Sequence, residues 1–210
     1  MIRILIADDH PIVRQGLKQI LAEEPDMRVE GEAQNSQEVL QLVVKQAWDV
    51  IILDITMPGR GGMDVLRIIK HDYPHLPVLV LSMHPEDQYG VRALKAGAEG
   101  YMTKESAPGE LVKAIRKIVA GGKYLTPALA EKIAFVFTEK NHGKSPHEKL
   151  SDREYQILRM IASGKSVGEI AAELFLSPKT ISTYRSRILN KMGMKNNAEL
   201  IHYAIQNRLV

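Results

Sequence analysis

The chain has 210 residues, 45% of them apolar and 25% charged, with a net charge of +3 and no cysteine. These totals fit a soluble globular protein of one large or two ordinary domains, and they exclude a disulfide scaffold or a thiolate metal site. The N-terminal apolar run is too short for a signal peptide and no segment approaches bilayer length, so the expectation is a cytoplasmic protein with no membrane partner.

In chain order, short apolar runs alternate with amphipathic segments. Strands are expected at Ile2–Ala7, Arg28–Ala33, Val50–Asp54, Val78–Ser82 and Gly100–Thr103. Helices are expected at Pro11–Glu23, Ser36–Gln46, Met63–Asp72, Glu86–Ala96 and Pro108–Ala120, and in the first of them Ile12, Gly16, Leu17, Ile20 and Leu21 are assigned to one face. This alternation points to right-handed βαβ crossovers and a parallel sheet covered on both sides. Runs such as VIIL and VLVL suit strands buried on both faces. Five such units are too few for an eight-fold barrel, so an open, doubly wound α/β sheet is expected.

The rhythm changes after Gly121-Gly122. Pro127–Lys140 reads as a helix with Leu129, Ile133, Phe135, Val136 and Phe137 apolar, and Asn141–Lys149 as a polar, mobile linker. From Leu150 the chain reads as all-helical. Ser151 and Glu154 match a capping box, Gly164 ends the first helix, and Val167, Ile170, Ala171 and Leu174 mark the buried face of a second. Ser177-Pro178 opens a third, with Ile181, Ile188 and Met192 inward; Gly193 ends it, and Ala198–Asn207 makes a fourth. The resulting division is 1–122, a helix and linker over 123–149, and a four-helix domain over 150–210.

In an open parallel sheet, ligands bind beyond the carboxyl ends of the strands. Asp8 and Asp9 follow the first strand there and Asp54 ends the third, so three acids need a counter-charge, for which Mg²⁺ is the natural choice. Ser82 and Lys104, at the fourth and fifth strand ends, add a hydroxyl and an ammonium. Asp9 alone reads more simply as a helix cap, and Lys104 alone as a surface lysine. Together the five suit phosphoryl transfer, in which positioning and charge neutralisation carry the catalysis and Asp54 would be the nucleophile.

Asp8-Asp9, Asp54, Met57-Pro58-Gly59, Ser82, Ala96-Gly97-Ala98, Gly100-Tyr101 and Lys104 resemble the receiver domain of a bacterial two-component response regulator, across all of residues 1–122. The resemblance implies a flavodoxin-like fold of strand order 2-1-3-4-5 that takes a phosphoryl group from the histidine of a sensor kinase. It implies Asp54 as acceptor and Mg²⁺ held by Asp9, Asp54 and the backbone carbonyl of Thr56, with Asp8 nearby. It further implies Ser82 and Tyr101 as a switch pair, although Tyr101 is on its own equally a packed strand residue. Gly59, Gly61 and Gly62 read as a turn, and with no phosphate-binding G-x-x-x-x-G-K-[ST] run ATP is not expected as a direct substrate. The histidines lack zinc-site spacing; His10 and His84 fall near the pocket mouth, where they could touch a partner or be merely exposed.

Charge is uneven: from Ser151 onward nine bases face five acids, and Ser177–Lys195 holds five bases and no acid. A polyanionic partner or a solvated face both fit. The third C-terminal helix would present Lys179, Thr180, Ser182, Thr183, Tyr184, Arg185, Ser186, Arg187 and Lys191, a mixture of cations and hydroxyls suited to a DNA major groove. Leu150-Ser151, Arg153-Glu154, Ile157-Leu158, Ala162, Gly164, Ile170-Ala171, Leu176-Ser177, Lys179-Thr180 and Ile181 to Tyr184 resemble the LuxR-type helix-turn-helix. The whole chain thus resembles a NarL/FixJ-type response regulator, a DNA-binding transcription factor and not an enzyme. By that likeness Ser182, Thr183 and Ser186 face bases and the other six named residues face the DNA backbone. The serines at 182 and 186, where some relatives are basic, depart from the pattern, and the last helix would supply a homodimer contact on promoter DNA. Two rivals are a phosphatase using Asp54 on small phosphate esters, which leaves the basic domain unexplained, and a receiver serving only as a passive dimerisation unit, which a complete acidic set argues against.

Overall fold

The computed structural model describes residues 1–57, 61–138, 145–207 and 209–210; the expected Pro58-Gly59 turn, the linker stretch 141–144 and the side chains of Phe135, Val136 and Phe137 lie outside what it describes. It divides into two compact units, Met1–Thr138 and Glu139–Val210.

The first unit is built on five parallel strands in the order β2-β1-β3-β4-β5. The strands are β1 (Ile2–Ala7), β2 (Met27–Ala33), β3 (Val50–Leu53), β4 (Val78–Ser82) and β5 (Gly100–Thr103). Between and after them run α1 (Pro11–Ala22), α2 (Ser36–Lys45), α3 (Gly62–Asp72), α4 (Glu86–Lys95) and α5 (Ala107–Val119). The two-residue period of a strand explains the two-sided burial. Ile4, Ile6, Val50, Ile52, Leu79 and Leu81 pack with Leu17 and Leu21 of α1 and with Leu111, Ile115 and Ile118 of α5. The intervening Leu5, Ile51, Leu53 and Val80 are equally buried. Each such side chain contributes on the order of 1.5–3 kcal/mol by leaving water. The strand order places the C-terminal ends of β1 and β3 side by side, with Ala7 paired to Leu53.

The face expected for α1 needs one correction. Ile12 is 87% exposed, while Leu17, Leu21 and the long side chain of Arg14 are buried. Five residues at about 100° each put Ile12 roughly 140° away from Leu17, on the solvent side.

Gly62 opens α3 where no other residue fits. A Cβ there would lie 2.3 Å from the backbone oxygen of Asp54 and 2.5 Å from Cα of Ile55. The bare backbone lets α3 begin directly behind the end of β3.

The helix expected over 127–140 forms as α6 (Pro127–Thr138) and belongs to the first unit. It docks on α4: Thr126 Oγ1 donates to Glu86 Oε2 at 2.5 Å, and Lys132 Nζ donates to the Asp87 carbonyl at 2.6 Å. A Cβ on Gly90 would come within 2.7 Å of the Leu129 side chain, so the two helices meet closely there.

The second unit is helical: α7 (Asp152–Ala162), α8 (Val167–Glu173), α9 (Pro178–Met192) and α10 (Asn197–Gln206). Capping boxes open α7 at Ser151/Glu154 and α8 at Ser166/Glu169, Ser177 caps α9, and Asn196 caps α10. Gly193 ends α9 in the left-handed conformation at φ 68°. Leu150, Ile157, Leu158, Ile161, Ile170, Ile181, Ile188 and Leu200 are its buried apolar residues of largest consequence. The end of the expected linker is structured: Pro146–Lys149 forms a 3₁₀ turn, and His147 Nδ1 lies 2.7 Å from the Tyr203 hydroxyl of α10. No helix among the described residues is long and apolar enough to cross a membrane.

Candidate functional site

Four strand ends build the acidic pocket. Asp8 and Asp54 are 1% exposed and Ser82 is fully buried. Buried carboxylates must be compensated, because isolated charges are costly away from water. Lys104, following β5, does this from the side: its Nζ lies 2.7 Å from Asp54 Oδ2 and 2.6 Å from Asp8 Oδ2. Burial alone would pull the Lys104 ammonium down, but the Asp54 and Asp8 carboxylates outweigh it and hold its pKa above the ordinary lysine value. Asp54 Oδ1 accepts hydrogen bonds from the Thr56 amide at 2.9 Å and the Thr56 hydroxyl at 2.5 Å.

The β1 end is held by its neighbours. Asp8 Oδ1 accepts from the His10 amide at 2.9 Å, and the buried Arg14 guanidinium donates to the Asp8 carbonyl oxygen at 2.8 Å. Arg14 also pairs with Glu32 of β2 at 3.2 Å, so one side chain braces the turn after β1 against the neighbouring strand. Arg14 was not singled out in the sequence. A cation on an otherwise apolar helix face was its only local sign.

Three carboxylates face one ammonium here, leaving excess negative charge. Asp8, Asp9, His10 and Asp54 each offer one ligand atom, all within 4.8 Å of one another. Asp8 Oδ2 meets the Lys104 ammonium at 2.6 Å and Asp9 Oδ1 meets the His10 ring nitrogen at 2.9 Å, and each carboxylate oxygen has a further lone pair to offer. Hard oxygens with unused acceptor capacity fit a divalent cation such as Mg²⁺.

Ser82 and Tyr101, the expected switch pair, meet at one residue. Ser82 Oγ accepts from the His84 amide at 3.1 Å, and the Tyr101 hydroxyl donates to the His84 carbonyl at 2.8 Å. The Tyr101 ring is fully buried. The His84 ring stacks on Tyr89 of α4 at 5.1 Å between centroids. Both residues thus converge on the segment that leads into the helix carrying α6.

On the second unit, α9 carries the basic set. Lys179, Thr183, Ser186, Arg187 and Lys191 are exposed, and Thr180, Ser182, Tyr184 and Arg185 are partly so. Ser177, Lys179, Thr180, Thr183, Tyr184 and Arg187 line one concavity of about 290 Å³. The Arg187 guanidinium lies 6.0 Å from the centre of the Tyr184 ring, close enough for the ring face to steer it. Thr183 and Ser186 hydroxyls donate to the Lys179 and Ser182 carbonyls at 3.0 and 3.1 Å. Lys191 stands apart: its Nζ pairs with the buried Glu154 carboxylate at 2.7 Å, tying α9 to α7.

Comparison with known proteins agrees with this geometry. The response regulator receiver domain family matches residues 4–116, and the family of bacterial regulatory proteins described as the luxR family matches residues 148–204. The chain is 37% identical to response regulator UvrY of Escherichia coli K12 over 209 residues, covering all of this chain and 96% of that protein. It is 38% identical to response regulator GacA of Pseudomonas aeruginosa over 210 residues, covering all of this chain and 98% of that one. Among solved structures, RcsB of Salmonella enterica serovar Typhimurium bound to promoter rprA with phosphomimetic BeF₃⁻ matches with a TM-score of 0.66 and 32% identity, over 97% of this chain and 98% of that one. A second RcsB–DNA complex matches with a TM-score of 0.61 and 30% identity, over 96% of each chain. With both family models satisfied along its length, this chain belongs to the two-component response regulators of the NarL/FixJ type, a receiver domain joined to a LuxR-type helix-turn-helix DNA-binding domain.

Proposed function

We propose that the chain is a phosphorylation-controlled transcription regulator with Asp54 as acceptor. The observation that carries this reading is the buried Asp54 carboxylate held 2.7 Å from Lys104 within a cluster of excess negative charge. Asp54 attacks the phosphorus of a phosphohistidine on a sensor kinase. The new O–P bond forms as the P–N bond breaks, and the electron pair leaves with the imidazole nitrogen. Lys104 shifts from pairing two carboxylates to neutralising phosphoryl oxygen, and Ser82 offers its hydroxyl to another. Asp8, Asp9, Asp54 and the Thr56 carbonyl would hold Mg²⁺, which when bound supplies charge neutralisation for the transferring group.

The output follows from the His84 hub. Turning Ser82 toward the phosphoryl group releases the His84 amide, and the Tyr101–His84 bond carries that change to the start of α4. Helix α6 hangs on the same turn through Glu86 and Asp87. The receiver, over 1–122, thereby biases the helix and linker at 123–149, and through them the DNA-binding and dimerisation of 150–210. This is a population shift driven by one added charge.

On promoter DNA, Lys179, Thr180, Tyr184, Arg185 and Arg187 contact phosphates while Ser182, Thr183 and Ser186 approach bases. The solved structures of the similar RcsB bound to DNA support DNA as the partner. Lys191 would also face the DNA backbone, with part of its charge offset by its pairing with Glu154. The intracellular partners are a sensor histidine kinase and a second copy of the chain on DNA.

The test is intact mass after incubation with acetyl phosphate and Mg²⁺. Wild type is expected to gain one phosphoryl group and Asp54→Asn none; an unmodified wild type would refute the assignment. Failure to turn over small phosphate esters separates this reading from that of a phosphatase.

A further inference from the structure

Two hydroxyls on α9 have already committed their protons. Thr183 Oγ1 donates to the Lys179 carbonyl at 3.0 Å, and Ser186 Oγ donates to the Ser182 carbonyl at 3.1 Å. Each bonds back along the helix to the residue four before it. A hydroxyl has one proton and two lone pairs, so each oxygen, its proton spent, offers its surroundings acceptor capacity only.

Both stand where a groove-binding helix would present them. Ile181, Ile188 and Met192 are the buried residues of α9. At about 100° per residue, Thr183 and Ser186 lie roughly 160° and 140° from that buried face, and both are exposed. Ser182 stands only about 100° away and is partly covered. Side chains three positions apart on a helix have Cβ atoms about 5–6 Å from each other, while stacked bases repeat about every 3.4 Å. The pair therefore reaches bases one or two steps apart. Ser177–Lys195 holds five bases and no acid, and its lysines and arginines can only donate. Acceptors on the outer face of α9 must come from uncharged oxygens such as these two.

We infer that Thr183 and Ser186 read exocyclic amino groups in the major groove, N6 of adenine or N4 of cytosine, and reject guanine and thymine at those positions. Guanine presents only the acceptors N7 and O6 there, and thymine presents O4 and a methyl group, so neither edge gives these oxygens a proton. Re-aiming a hydroxyl to serve either base would first break its bond to the helix carbonyl. The inference rests on the reading that α9 enters the major groove of promoter DNA.

The test begins by selecting DNA from a random pool with the phosphorylated full chain. Adenines and cytosines of the selected site are then replaced one at a time by analogues lacking the amino group, purine and 2-pyrimidinone. Affinity for each is measured with wild type, Thr183→Val and Ser186→Ala, and thermal unfolding checks that the variants fold. In each half-site, removing the amino group at two positions one or two steps apart should weaken wild type about three- to tenfold, the loss of one hydrogen bond. Ser186→Ala should be indifferent to the analogue at one of these positions and Thr183→Val at the other. Equal analogue sensitivity in all three proteins would overturn the inference, as would variants whose altered preference falls at a guanine or thymine. Tight binding without any sequence preference would overturn it too, leaving α9 a phosphate-binding helix. No DNA binding by folded, phosphorylated wild type would instead overturn the reading of α9 on which it rests.

Discussion

The acidic pocket and the basic helix solve opposite electrostatic problems. In the pocket, charges are buried and answered from within: Lys104 is 6% exposed and touches both Asp8 and Asp54. Along α9, cations stand in water, and most of their countercharge must come from another molecule. The pocket gathers residues 8, 54, 82 and 104 by topology, whereas the helix carries its set in contiguous sequence between 177 and 191. A buried site is thus part of the fold's own stability, while an exposed one can be altered almost without cost to it.

The sharpest way to break this contrast is at Lys104. Lys104→Met should leave two buried carboxylates uncompensated and destabilise the first unit by about 3 kcal/mol in urea unfolding without divalent ions. Added Mg²⁺ should recover part of the loss, and phosphorylation by acetyl phosphate should disappear. A variant as stable as wild type would mean that the pocket's charges are compensated some other way.

The opposite behaviour is expected at Arg187. Arg187→Ala should leave thermal unfolding unchanged but weaken DNA binding about tenfold, on specific and unrelated sequences alike. The slope of log affinity against log salt should fall by about one. Lost discrimination between sequences would place Arg187 on a base instead.

Lys191 sharpens the comparison because it shares both characters. Burial pushes the Glu154 carboxyl up, but Lys191 and the Ser151 donors outweigh it and hold Glu154 below its ordinary value. Its contribution to the second unit is therefore full above the ordinary value of 4.5 and is lost as pH falls through the lowered native value. Lys191→Ala should make acid unfolding begin at a higher pH. The loss at neutral pH should stay below about 1 kcal/mol, since Lys191 is 44% exposed.

The smallest expected effect is at the turn between α8 and α9. Phe175 adopts φ 54°, a left-handed conformation that a bulky residue adopts at some cost, and the residue is 71% exposed. Phe175→Gly should stabilise the second unit by about 0.5–1 kcal/mol in thermal unfolding, since little packing is lost. Destabilisation would show that the ring packs against the unit more than its exposure suggests.

The same contrast governs what could be read from sequence. Strand runs such as VIIL and the Ser151–Glu154 cap are local patterns, and the structure has both. The residues of the pocket were legible because each closes a strand, and parallel topology brings strand ends together. Helix faces were less so: Ile12 follows an apolar pattern yet points to solvent. Pairings across the chain left no local signal. Lys191 meets Glu154 across 37 positions. Likewise Thr126 meets Glu86 across 40, which is why the helix after residue 122 could not be seen to dock on α4. The polar segment ending at Lys149 looked unstructured because its anchor, Tyr203, lies 56 residues from His147.

The central claim is that charge added in the buried pocket controls the exposed helix. Its most direct test is promoter-DNA affinity of wild type and Asp54→Asn, each with and without acetyl phosphate and Mg²⁺ at fixed salt. Wild-type affinity should rise on phosphorylation while Asp54→Asn stays at the unphosphorylated value. An equal rise in both proteins, or none in a wild type shown by mass to be phosphorylated, would contradict the account.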